Sequence, residues 1–135
     1  MKSVSAKKRQ ASILVIEDDK DVRQLLSDIL ISEGHEVRVA SNGKKGLELF
    51  RSRKFDLVLT DLGMPEMSGW QVSKEIKKIN DKTPVAVITG WVVDPKEPEM
   101  RESGVDFIIN KPFQTDQLLR LVQDWIKIKD RSKNV

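Results

Sequence analysis

Three acidic residues, Glu17, Asp18 and Asp19, follow directly on the apolar run Ile13–Ile16, and a fourth carboxylate, Asp61, follows the apolar run Leu57–Leu59. Thr89 stands after Val85–Ile88, and Asn110 and Lys111 stand after Phe107–Ile109. Carboxylates brought within reach of one another repel at neutral pH unless a cation neutralises them. A donor set of oxygens, with no Cys or His among them, selects Mg2+, Ca2+ or Mn2+. Mg2+ keeps several waters and takes one or two carboxylates plus a phosphate oxygen, which suits phosphoryl transfer better than a closed metal cage. Lys111 adds a fixed positive charge and Thr89 a hydroxyl for a phosphoryl oxygen. Asp61 is then the candidate nucleophile, because carboxylates form acyl phosphates. The turn formers Gly63, Pro65, Ser68 and Gly69 make the loop after it able to offer a carbonyl to a metal and amides to a phosphate.

These residues converge only if the chain brings its strand ends together. Ile13–Ile16, Glu36–Ala40, Phe55–Thr60, Val85–Ile88 and Phe107–Ile109 read as strands. Val22, Leu25, Leu26, Ile29 and Leu30 recur at helical spacing, with Asp21 or an acid just before it as the cap and Gly34 as the stop. Ser41-Asn42-Gly43 opens a second helix marked by Leu47 and Phe50, and Trp70–Ile79 is a third. Pro95 and Pro98 delay a short fourth helix to about Glu97 or Pro98, closed by Gly104. A fifth helix starts near Thr115 or Asp116. Its apolar residues, Leu118 to Ile128, are too broadly spread for one stripe, so part of it faces a partner. Strand and helix alternate five times, which predicts an α/β fold with a parallel sheet covered on both faces. Parallel strands put their C-terminal ends on one edge, where such folds bind ligands.

The 135 residues suit one domain, and 39% hydrophobic against 33% charged residues exclude a disordered or fibrous chain. No apolar run approaches the roughly 20 residues of a membrane span, and the first ten residues lack the apolar core of a signal peptide. The absence of cysteine excludes disulfides, thiolate metal sites and cysteine nucleophiles, and fits a cytoplasmic protein. The net charge of +3 is uneven: residues 1–12 carry +4 and residues 127–135 carry +3, which leaves the body at −4. Basic tails on an acidic body are solubilising rather than a nucleic-acid signal. The boundaries drawn are a basic tail at 1–11, one domain at 12–128 and a basic tail at 129–135.

The motifs ILVIEDD at 13–19, LVLTDLGMPEMSG at 57–69, VAVITG at 85–90 and GVDFIINKPF at 104–113 resemble, in order and spacing, the response-regulator receiver domain of two-component signalling, of the CheY-like superfamily. The resemblance covers about residues 12–128. It implies a flavodoxin-like doubly wound sheet of order 2-1-3-4-5, with Mg2+ as the cofactor. It implies Asp61 as phosphoacceptor, Asp18 as direct metal ligand, Glu17 as a ligand through water, and Gly63 as donor of a carbonyl to the metal. Thr89 matches the switch hydroxyl and Lys111 the phosphate-pairing lysine, with Lys111-Pro112 a candidate cis bond. The implied upstream partner is a histidine kinase or phosphotransfer protein, and the output is a protein effector or the rest of the same chain.

Two positions depart from the family pattern. Where the family usually has Tyr or Phe, three residues before Lys111, this chain has Ile108, with Phe107 on the opposite face of the strand. Trp91, two residues after Thr89, puts a bulky ring at a position that influences acyl-phosphate hydrolysis in the family. Both point to an atypical output face around the fourth and fifth strands. Other residues read as structural: Asp19 and Asp21 as caps or surface, His35 as an exposed turn residue, Trp70 as partly buried, and Trp125 as core or interface. Two rival readings are a phosphorylation-independent interaction module and a Mg2+-dependent phosphatase with an aspartyl intermediate. The second usually needs an acid–base Asp two residues after the nucleophile, where this chain has Gly63.

Overall fold

The computed structural model describes residues 10–94 and 96–133, with side chains described as far as residue 128. Ten elements alternate along the chain: β1 (Ser12–Ile16), α1 (Lys20–Ser32), β2 (Glu36–Ala40), α2 (Gly43–Ser52), β3 (Leu57–Asp61), α3 (Gly69–Ile79), β4 (Val85–Thr89), α4 (Pro98–Ser103), β5 (Phe107–Asn110) and α5 (Thr115–Lys133). The strands form one parallel sheet of order β2-β1-β3-β4-β5. This is the doubly wound, flavodoxin-like arrangement that the motifs imply.

Strand alternation divides the core in two. Ile13, Val15, Leu57, Leu59, Ala86, Ile88, Phe107 and Ile109 face one way and bury Leu26 and Leu30 of α1 and Leu118, Val122 and Ile126 of α5. Leu14, Ile16, Val58, Val85 and Val87 face the other way and bury Leu47 and Phe50 of α2 and Val72 and Ile76 of α3. Each fully buried aliphatic side chain contributes about 1.5–3 kcal/mol. A substitution such as Leu59→Ala, at a residue with no exposed surface, costs roughly 2–5 kcal/mol.

Local signals set the helix ends. Asp19 caps α1, its carboxylate accepting from the Asp21 and Val22 amides, so the cap precedes Asp21. Asn42 caps α2. Ser68 and Gln71 form a reciprocal capping box that starts α3 at Gly69, one residue before the expected Trp70. Pro98 occupies the first turn of α4, and Gly104 closes it at a φ of 76°. Helix α5 runs to Lys133, beyond the boundary drawn at 128. Its width is accounted for in part by Trp125, which stacks on Phe107 at 4.9 Å between ring centroids. Residues 1–9 of the expected basic tail, and Pro95, lie outside the described residues.

His35 is a correction. Expected as an exposed turn residue, it is only 4% exposed, and its Nδ1 accepts the Ala11 amide hydrogen at 3.0 Å. Gly34, at a φ of 90°, turns the chain inward after α1 and directs the imidazole under the start of the sheet instead of into solvent.

Candidate functional site

Register brings the four strand ends level. Ile16 pairs with Thr60, Asp61 with Ile88, and Thr89 with Asn110. The residues after β1, at the ends of β3 and β4, and after β5 therefore share the C-terminal edge. There the carboxylates of Glu17, Asp18 and Asp61 offer oxygens that all lie within 4.8 Å of one another. Lys111 reaches across from the far side: its Nζ donates to Asp61 Oδ1 at 3.1 Å and to Glu17 Oε1 at 3.3 Å.

The electrostatics follow from burial. Glu17 is 1% exposed and Asp61 8% exposed, whereas Asp18 is open to solvent. Burial pushes the Glu17 carboxyl above its usual range. The Asp61 charge adds to this, while the Asp19 amide and Lys111 pull it back. Burial likewise raises Asp61, with Asp18 adding and the Lys111 hydrogen bond and charge opposing. Burial depresses the Lys111 ammonium, but the bond to Asp61 and the charges of Glu17 and Asp61 outweigh it, so its net shift is upward. Without a metal the site is thus short of positive charge. Its oxygen-only donors and raised carboxylates fit a hard divalent cation.

The loop from Leu62 to Ser68 shapes the rim. The Gly69 amide donates to Leu62 O, and a Cβ at Gly69 would stand 2.5 Å from Asp61 O, so only glycine lets α3 start this close to the end of β3. Pro65 and Met67 close a tight turn (N–O 2.7 Å) around Glu66, which takes a φ of 70°. Thr89 is buried, and its Oγ1 accepts the Trp91 amide at 2.9 Å, leaving its own O–H free to donate. Trp91 is 64% exposed as a residue, and its ring lies against Gly63. Ile108 is half-buried and packs with the α2–α3 side of the core. The Lys111-Pro112 peptide is cis.

Asp19 stands apart as the α1 cap. Arg23 is the participant that the residue spacing did not reveal. From the first turn of α1 its Nη1 reaches back to the Glu17 carbonyl at 2.8 Å.

Sequence comparison matches residues 13–123 to the response regulator receiver domain. The chain belongs to that family. Among curated relatives of the receiver domain, Regulatory protein AtoC of Escherichia coli is 34% identical over 91% of the chain. Transcriptional regulatory protein ZraR of Klebsiella oxytoca is 38% identical over 81%. The chain spans only 27% and 25% of their lengths. Among solved structures, the chemotaxis protein CheY4 of Vibrio cholerae superposes with a TM-score of 0.81 at 28% identity, covering 86% of this receiver domain and 98% of that chain. NtrX of Brucella abortus gives 0.86 at 29% identity, over 93% of this chain and 29% of NtrX. Among the described residues no helix is long and apolar enough to cross a membrane.

Proposed function

We propose that this receiver domain is a phosphorylation switch whose phosphoacceptor is Asp61. The observation that carries the reading is Lys111 Nζ held between Asp61 and Glu17, at 3.1 and 3.3 Å, beside a cluster of three carboxylates. Glu17, Asp18 and Asp61, with the Gly63 carbonyl, would hold Mg2+. When bound, the ion supplies neutralising charge to the acids and to a phosphoryl oxygen.

The donor is a phosphohistidine on a partner kinase or phosphotransfer protein. An Asp61 carboxylate oxygen attacks phosphorus in line. The new P–O bond forms as the P–N bond breaks, and the bonding pair leaves with the imidazole nitrogen. Lys111 is already within hydrogen-bond distance of Asp61 and shifts its ammonium to a phosphoryl oxygen. Thr89 donates its free O–H to another. Reorienting that hydroxyl disturbs the bond it accepts from the Trp91 amide, which links the phosphoryl group to the exposed segment before α4. Water later attacks phosphorus, the P–O bond breaks and the Asp61 carboxylate returns. Trp91, lying on the rim at Gly63, restricts that water's approach, and half-buried Ile108 takes the place of a switch aromatic. The domain regulates rather than turns over an external substrate. Its output goes to a protein effector or to the rest of its own chain. The proposed compartment is the cytoplasm, where ATP charges histidine kinases.

The test is labelling by a small phosphodonor such as acetyl phosphate. Mg2+-dependent label is expected on the wild type and is abolished by Asp61→Asn. Label retained on another residue would sink the assignment.

A further inference from the structure

Arg23 is a half-buried cation placed against an acidic cluster, yet its side chain is bonded to no carboxylate in the described residues. Its Nη1 instead donates to the backbone carbonyl of Glu17 at 2.8 Å. That carbonyl belongs to the peptide joining Glu17 to Asp18, the two acids that leave β1 in succession. The Glu17 amide is already tied to Ala40 O of β2 at 3.0 Å. The Glu17 carboxylate accepts the Asp19 amide at 3.0 Å, Asp19 caps α1, and the Arg23 amide donates to Asp19 O at 2.9 Å. The turn is therefore closed on both sides by one residue: the Arg23 backbone holds Asp19 and its guanidinium holds Glu17.

Resting on the Mg2+ site proposed above, we infer that Arg23 is a positioning residue for that site. It fixes the plane of the Glu17–Asp18 peptide and so sets the direction in which the two carboxylates leave the sheet. Groups that orient metal ligands without touching the metal typically govern affinity by 10–100-fold. Arg23 offers a sign test, because two effects of the same side chain oppose each other. Its positive charge repels a nearby Mg2+, so charge alone predicts that neutralising it tightens binding. Its hydrogen bond organises the ligands, so positioning predicts that removing it weakens binding.

The experiment is calorimetric titration of Mg2+ alone into the unphosphorylated full chain, paired with thermal unfolding without metal. Wild type is measured first, and absence of 1:1 Mg2+ binding there overturns the site itself, not merely the role of Arg23. Given wild-type binding, Arg23→Met, which keeps the stem but has no donor, is expected to raise the Kd about tenfold or more, and Arg23→Lys, which keeps a donor, to recover most of the loss. A Kd for Arg23→Met equal to or tighter than wild type overturns the inference, whatever happens to the melting temperature. So does an Arg23→Lys as weak as Arg23→Met, since the donated bond is then not the cause. Should Arg23→Met not fold, Arg23→Gln, whose donor lies two bonds short of the Arg23 Nη1 position, decides through amide exchange of Asp18 and Asp19 in the metal-free protein. Faster exchange with weaker Mg2+ binding supports the role, and unchanged exchange and affinity overturn it.

Discussion

The indole of Trp91 lies so close to Gly63 that a Cβ added to that glycine would stand 2.9 Å from ring atom Cη2. Gly63 is two residues past Asp61 and Trp91 two past Thr89, so the contact joins the β3 loop to the β4 loop over the mouth of the site. If the ring limits water at an acyl phosphate, Trp91→Ala speeds loss of label from Asp61 by about threefold or more. An unchanged dephosphorylation rate rejects the shield. Gly63→Ala displaces an exposed side chain, so stability stays within about 0.5 kcal/mol while the tryptophan emission shifts.

Lys111 is the cation facing both Glu17 and Asp61, at 29% side-chain exposure. Lys111→Met leaves two buried carboxylates opposed, at a cost of roughly 1–3 kcal/mol at pH 7, discounted from a fully buried pair because the ammonium is partly solvated. Denaturant unfolding without Mg2+ should show the loss shrinking towards pH 4 as the carboxylates take up protons. A loss independent of pH would contradict it.

Asp61 and Glu17 both bind protons more tightly in the folded, metal-free protein than their ordinary values of 3.8 and 4.5 imply. A raised folded-state pKa contributes stability that is complete below the unfolded value and is lost as pH rises through the folded one. Asp61→Asn removes the Asp61 part. The melting temperature of the variant minus that of wild type should therefore be small near pH 4 and grow positive towards neutrality. Mg2+ reverses the order. It stabilises wild type by about 2.7 kcal/mol at a hundred times Kd, and the variant by less. A difference that does not vary with pH would contradict the argument.

At Gly69 the obstacle to a side chain is backbone. Asp61 O would stand 2.5 Å and Leu62 Cα 3.0 Å from an added Cβ, and neither can move without shifting β3 or the start of α3. Gly69→Ala should cost at least about 1–3 kcal/mol, and it should lower the Mg2+ affinity because the displaced strand end carries Asp61. Wild-type unfolding and wild-type affinity would show that the loop has slack.

Much of this arrangement could be read from the residues. Four short apolar runs and one alternating run, separated by helical repeats, dictate a two-sided parallel sheet, because the central strands β1, β3 and β4 hide both faces and each helix hides one stripe. Acids, a hydroxyl and a lysine placed after successive strands must then meet at one edge, and Glu17, Asp61 and Lys111 do so at hydrogen-bond distance. These are consequences of period and order, which a linear chain carries. What it does not carry is the direction of a side chain once neighbours pack against it. Only the folded structure turns His35 inward to take the Ala11 amide, lays Trp91 on Gly63 and bends Arg23 back to the Glu17 carbonyl. Each of those depends on contacts between segments whose approach is set by packing, not by spacing along the chain.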